Sequence, residues 1–141
     1  MRMRTSAVSA ALAAAGVLGA LVTAAPAQAD SIPDSLCGGV IDVDYCLWYN
    51  SNQKGGWTAT YENIPDWGGA HPWQFSDGGQ GTNGVNTPVK NNAASYANSR
   101  DDKTGVSYFN SNYAGASDVA PPRDKGNLSK TYNNNASFRW R

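Results

Sequence analysis

The fold is decided by a stretch of sequence that occurs twice, WYNSNQKG at residues 48–55 and YFNSNYAG at residues 108–115. Each copy opens with two aromatic residues, continues with Asn-Ser-Asn and ends in glycine, and the copies lie 60 residues apart. Asn and Gly tolerate positive φ, so aromatic residues followed by this pattern are typical of a strand that enters a tight hairpin turn. We therefore expect the same hairpin twice.

A second pair of matching segments gives the order of the repeat. Residues 92–96 read NAASY and residues 134–138 read NNASF, at a shift of 42. The four segments alternate along the chain, which indicates two copies of one unit, at about 43–98 and 104–141. A duplicated four-stranded unit predicts an all-β sandwich of two Greek keys.

The composition also indicates an all-β domain. Residues 30–141 hold thirteen glycines, fourteen asparagines, five Trp, seven Tyr and three Phe, whereas Leu, Ile and Met are scarce. Aromatic residues favour strands, and Gly and Asn favour turns. The strand patterns lie at 45–49, 57–61, 93–97, 106–109 and 137–140, with a turn at 125–127. Residues 66–88 form a long Gly/Asn-rich insertion, and a loop of that length is either functional or mobile.

The first 29 residues have the layout of a secretory signal peptide. A basic start at residues 1–4 precedes an Ala-rich apolar run and an A-x-A end, which predicts cleavage after Ala29. The apolar run of about 16 residues is shorter than the ~20 that span a bilayer. We expect a secreted, extracellular chain of one domain, residues 30–141, without membrane attachment.

The charge balance excludes several partners. Cleavage would remove two of the 11 basic residues and none of the 11 acidic ones, which leaves a net charge of about −2. Without a basic stripe, neither nucleic acid nor an anionic membrane surface is an expected partner. The modest charge and the absence of an apolar stripe favour a monomer.

Cys37 and Cys46 are the only cysteines, and an exported chain favours their pairing. Such a bridge closes a loop of about ten residues and contributes roughly 2–3 kcal/mol to the free energy of unfolding. A zinc site is a weaker interpretation, because His71 is the lone histidine and lies far away in sequence. A redox-active pair is also a weaker interpretation, since the cysteines of a C-x-x-C motif are separated by only two residues, and Cys37 and Cys46 lie further apart.

These motifs resemble a known family. The aromatic hairpin that ends in glycine and the Asn-Asn-x-x-Ser closing segment resemble the βγ-crystallin fold. The A-x-A leader, Cys37, the run Cys46-Leu47-Trp48, NAAS at residues 92–95 and the pattern Asn110-x-x-Tyr113-x-Gly115 look similar to secreted actinobacterial peptidase inhibitors of the streptomycete metalloproteinase inhibitor type. The resemblance implies a protein that blocks an extracellular metalloprotease through a rigid extended loop. This chain has no cysteine after Cys46, so prolines and hydrogen bonds would have to stiffen that loop.

One candidate for the inhibitory loop lies in the 66–88 insertion. Its candidate contact residues are His71 and Trp73, and His71 or Asp77 would be available to ligate the zinc of a target metalloprotease. The same insertion has an alternative as a carbohydrate-binding site, in which Trp67 and Trp73 are exposed and stack on sugar rings. The structural alternative is a pair of Trp side chains that cover one end of the sandwich.

The other candidate loop is the Pro-stiffened segment 115–122. Its candidate contact residues are Ala116, Ser117, Asp118 and Val119. A rigid extended loop loses little ordering entropy when it docks into a protease. The alternative is a plain connection between strands.

The two closing segments also resemble the crystallin calcium signature, N/D-N/D-x-x-S/T-S. The candidate ligands are Asn92, Ser95, Asn134 and Ser137, and calcium prefers six to eight oxygen ligands. The alternative is an Asn-rich corner whose side chains bond to their own backbone. No cofactor is required for inhibition, and calcium is the one cofactor that the sequence offers.

The sequence does not favour an enzyme. His71 is the only histidine, Glu62 is the only glutamate, and no G-x-S-x-G motif is present. The leading hypothesis is a binding protein whose partner is an extracellular protease. The alternatives are a structural or calcium-binding βγ-crystallin module and a carbohydrate-binding module.

Overall fold

A computed structural model describes Cys37 and residues 45–141. The expected signal peptide, residues 1–29, lies outside the described residues. Within the described part, no helix has the length and apolar character needed to cross a membrane.

Residues 45–141 form two antiparallel sheets, which confirms the predicted all-β class. The first sheet has the strand order β2-β1-β3-β6, and the second has the order β5-β4-β7. The strands are β1 (Tyr45–Asn50), β2 (Lys54–Thr60), β3 (Ser95–Asn98), β4 (Gly105–Asn110), β5 (Ala114–Ala120), β6 (Lys125–Asn127) and β7 (Ser137–Trp140). A short 3₁₀ turn, Ser111–Tyr113, joins β4 to β5.

The two repeated hairpins have the same construction. Trp48 pairs with Trp57 in the first hairpin, and Tyr108 pairs with Ser117 in the second, at equivalent positions. Both ladders shift register just after these pairs. The tip residues are left-handed in both copies, with φ of 60° and 55° at residues 52 and 53 and of 60° and 62° at residues 112 and 113. The last Asn of each Asn-Ser-Asn triplet thus occupies the first of the two left-handed positions that the turn requires.

The two repeats exchange a strand. β6 belongs to the second repeat but pairs with β3 in the first sheet. In return, Ile64 of the first repeat pairs with Phe138 of β7 through two reciprocal backbone hydrogen bonds of 2.8 Å. Each sheet is therefore completed by the other repeat, as in a pair of interlocked Greek keys.

The main core lies between the sheets and is centred on aromatic side chains. Tyr45 stacks on Phe138 with their ring centroids 4.1 Å apart, and both rings are buried. The Tyr45 hydroxyl lies 2.9 Å from the hydroxyl of Ser107, so its polar end is satisfied inside the core. Burial of one such side chain stabilises the fold by about 1.5–3 kcal/mol.

A second, smaller cluster covers the outer face of the first sheet. Cys37 and Cys46 form the predicted disulfide, with their Cα atoms 5.9 Å apart, and Trp48 and Ala97 are buried beside it. Trp57 packs against this cluster from β2. The disulfide therefore anchors residue 37 to β1, one of the two inner strands of the sheet.

The 66–88 insertion is a packed part of the domain. Gln74 and Pro88 form an isolated bridge within it, while Ser76 pairs with Trp57 at the edge of β2. Phe75 belongs to the main core. The insertion thus closes the outer edge of the first sheet, which an uncovered β2 would leave open to pairing.

Two sequence predictions are wrong. Residues 125–127 form strand β6 and not a turn, and most of the predicted loop at 115–122 belongs to strand β5. Both strands are short of large apolar side chains, and their pairing with β3 and β4 imposes the extended conformation.

Candidate functional site

The candidate contact residues of segment 115–122 lie on an edge strand. Ala116, Ser117, Asp118 and Val119 belong to β5, which pairs with β4 on one side only. The side chain of Val119 is 53 % exposed. The segment is extended, as the sequence predicted, but its support is a sheet rather than a proline-stiffened loop.

Asp118 anchors β5 to the rest of the domain. Its carboxylate accepts hydrogen bonds from the backbone N–H groups of Ser129, Lys130 and Thr131 at 3.0, 3.2 and 2.8 Å. The Thr131 hydroxyl donates a further bond of 2.7 Å. Burial alone would raise the pKa of the Asp118 carboxyl, but these four donors outweigh it and lower the pKa below its ordinary value. Asp118 is therefore a support of the strand.

Asn98, which the sequence reasoning did not single out, holds the other end of β5. This buried side chain donates hydrogen bonds to the carbonyls of Ala120 and Pro121, at 3.0 and 2.9 Å, and to that of Lys103 at 2.8 Å. The segment is thereby fixed at its carboxyl end. Asn98 lies just beyond the repeat motif, and no local sequence signal distinguishes it from the other asparagines.

The candidate residues of the insertion are placed differently from one another. His71 and Asp77 are exposed, and Asp77 accepts a 2.9 Å hydrogen bond from the N–H of Gly79. Trp73 is 37 % exposed and packs edge-on against Trp67, with the ring centroids 5.4 Å apart. Trp67 is fully buried, so it is not available to stack on a sugar ring, as the carbohydrate-binding alternative required. Trp73 alone of the pair presents part of its ring to solvent.

Ser95 and Ser137, the two candidate calcium ligands with hydroxyl groups, serve as braces. The Ser95 hydroxyl bonds to the backbone of Asn50 and Gln53, at the two sides of the first hairpin. Ser137 makes the equivalent bonds in the second hairpin, to Asn110 and Tyr113. Both serines are fully buried.

Asn92 and Asn134 lie where the two closing segments meet. The amide group of Asn92 donates to the carbonyls of Pro88 and Lys90, both at 3.0 Å. That of Asn134 donates to the carbonyl of Tyr132 at 3.0 Å. Within the described residues, no group of three or more His, Cys, Asp or Glu side chains is placed to hold a metal ion.

Asn135 joins the two closing segments and was also missed by the sequence reasoning. Its side-chain oxygen accepts the N–H of Ala93 at 2.9 Å, and its amide donates to the carbonyl of Val89 at 3.1 Å. The side chain is fully buried. A buried asparagine of the second closing segment thus fixes the contact between the two repeats.

Comparison with known proteins gives the fold. No protein-family model matches the chain, and neither does any curated protein. One solved structure, described as "Evolution of the eye lens beta-gamma-crystallin domain fold", matches with a TM-score of 0.52 and 8 % identity over 70 % of this chain and 85 % of that one. A second, "Crystal structure of a betagamma-crystallin from an Archaea", matches with a TM-score of 0.43 and 16 % identity over 68 % and 94 %.

The first of these likenesses, together with the two antiparallel sheets, confirms the predicted βγ-crystallin-like fold. At 8 % identity, this likeness shows that the two proteins share a fold and nothing more.

Proposed function

We propose that this chain is a secreted, monomeric protein that binds an extracellular metalloprotease and blocks it without catalysis of its own. The observation that carries the proposal is strand β5. Its residues 114–116 and 119 are exposed, and the strand is extended. The resemblance of the leader, the cysteine pattern and the repeat motifs to secreted actinobacterial peptidase inhibitors supports the same function.

The physical basis is the small entropy cost of docking a segment that is already ordered. β4 holds β5 along one side, while Asp118 and Asn98 hold it from within the domain. A segment fixed in an extended form loses little conformational freedom when a protease cleft closes around it. A freely moving loop would have to be ordered at a cost of about 1–2 kcal/mol for each residue.

The test is a titration of residues 30–141, with the disulfide intact, against thermolysin. Serine proteases of two different specificities serve as parallel targets. We expect stoichiometric inhibition of thermolysin and recovery of the uncut domain by mass spectrometry. If micromolar domain inhibits none of these enzymes, or is itself degraded, the proposal is wrong.

A calcium-binding module is the second candidate, and one observation favours it. Among the described residues, the side-chain oxygens of Asn92 and Asn134 accept no hydrogen bond, while their NH₂ groups donate to backbone carbonyls. Both oxygens are neutral, so any affinity would fall in the millimolar range of weak extracellular sites. The expected result is a higher melting temperature in CaCl₂ than in MgCl₂, lost in the Asn92→Ala, Asn134→Ala variant. Equal melting temperatures in the two salts would remove this candidate.

A further inference from the structure

The two sheets differ at their equivalent edges. β2 and β5 occupy the same place in the repeat, and each is the edge strand beside the first strand of its hairpin. The chain closes the β2 edge itself. Trp57 and Ser76 exchange two backbone hydrogen bonds of 2.9 and 2.8 Å, and the N–H of Gly55 donates to the carbonyl of Gln80 at 2.8 Å. No described residue pairs in this way with β5.

The backbone groups on the open edge are identified by the pairing of Tyr108. The carbonyl of Tyr108 accepts the N–H of Ala136, on the side of β7. Residue 108 therefore directs its hydrogen-bonding groups away from β5, and its partner Ser117 directs its own away from β4. The same alternation applies two residues later at Val119. The N–H and C=O groups of Ser117 and Val119 thus point to the open edge.

Side chains leave this edge accessible. Ala114, Gly115 and Ala116 are exposed and small, and β5 contains no Lys, Arg or Pro. Natural edge strands are commonly protected from pairing with another chain by charged residues or proline, or by a covering segment. The one charged residue of the strand is Asp118, and its carboxylate is hydrogen-bonded to the backbone N–H groups of residues 129–131.

We propose that β5 binds its target by strand addition, so that an extended strand bordering the substrate cleft of the protease pairs antiparallel with Ser117 and Val119. This inference rests on the proposed function and specifies its mode of contact. The molecule contains the same arrangement at its other edge, where residue 76 pairs antiparallel with β2. Recognition through main-chain groups also suits a protease cleft, which accepts polypeptides of many sequences.

The test replaces outward N–H groups by proline. In Ser117→Pro and Val119→Pro, the ring occupies the position of the lost N–H on the open edge, while the bonds from residues 118 and 120 to β4 remain. The matched controls, Ser117→Ala and Val119→Thr, keep the N–H. We expect each proline variant to inhibit thermolysin at least about tenfold more weakly than its control.

A second measurement does not depend on the variants. Amide hydrogen exchange by NMR should show that the Ser117 and Val119 amides exchange fast in the free domain and are protected in the complex with thermolysin. Inhibition by the wild type that survives both proline changes, or complex formation without protection of these amides, would overturn strand addition and leave the proposed function intact. Absence of inhibition by the wild type would overturn both.

Discussion

The hydroxyl of Ser95 donates a 2.6 Å hydrogen bond to the backbone carbonyl of Asn50, which lies 45 residues earlier in the chain. The same hydroxyl accepts the N–H of Gln53 at 3.0 Å. In the second repeat, Ser137 donates to the carbonyl of Asn110 at 2.7 Å and accepts from Tyr113 at 3.0 Å. The serine of each closing segment therefore holds the hairpin of its own repeat.

Replacement of Ser95 by Ala is expected to destabilise the domain by about 1–3 kcal/mol, because a carbonyl and an N–H group lose their partner. Ser137→Ala should have a similar effect. Urea unfolding measures both, with Ser76→Ala as a control, since Ser76 is exposed and pairs through its backbone only. Equal stability of all three variants would contradict the bracing role.

The acid stability of the domain is expected to depend on Asp118. Its carboxyl pKa is lowered in the folded state, so its contribution is present above the ordinary carboxyl pKa near 4 and is lost as the pH falls through the lowered value. Asp118→Asn should reduce stability at neutral pH and make the melting temperature fall less steeply with acid. Melting curves from pH 6 down to about 2 measure this, with Asp102→Asn as a control at a carboxylate that is 55 % exposed and paired with Arg100. Parallel acid profiles for wild type and Asp118→Asn would contradict the prediction.

The disulfide is expected to contribute roughly 2–3 kcal/mol to stability. It packs against Trp48 on the outer face of the first sheet, and Cys46 is fully buried. Dithiothreitol should lower the melting temperature of the wild type and leave that of the Cys37→Ser, Cys46→Ser variant unchanged. A wild type that is shown by thiol titration to be reduced, yet melts as before, would exclude this contribution.

The insertion is expected to behave as a packed element. A Cβ atom at Gly78 would overlap the indole ring of Trp57, whereas one at Gly69 would approach only the Asp66 carbonyl, at 3.9 Å. Gly78→Ala should therefore destabilise the domain by about 1–3 kcal/mol, and Gly69→Ala should be close to neutral. Thermal unfolding of the two variants measures the difference, and a harmless Gly78→Ala would indicate that the insertion does not pack on β2.

The sequence predicts those parts of the fold that carry their own pattern. The aromatic residues of β1, β4 and β7 and the two Asn-Ser-Asn turns determine their strands locally. The pairing of the two cysteines was expected because the sequence predicts export. β5 and β6 lack such a pattern, because their sequences AGASDVA and KGN become strands only through long-range pairing. The sequence singles out Ser95 and Ser137 only as candidate calcium ligands, because their bonds to residues 50 and 110 depend on the folded chain.

The exchange of segments between the two repeats, with β6 in the first sheet and Ile64 beside β7, has a consequence for any shorter form of this protein. Each repeat places one of its own segments in the sheet of the other. In a polypeptide that contained only one repeat, the exchanged segment would have no sheet to pair with. The sheet of that repeat would also lack the segment that the other repeat supplies. Such a half-length chain would have to assemble with a second molecule to complete either layer, and a chain cut in the exposed turn at residues 101–102 would depend on reassociation of its two fragments.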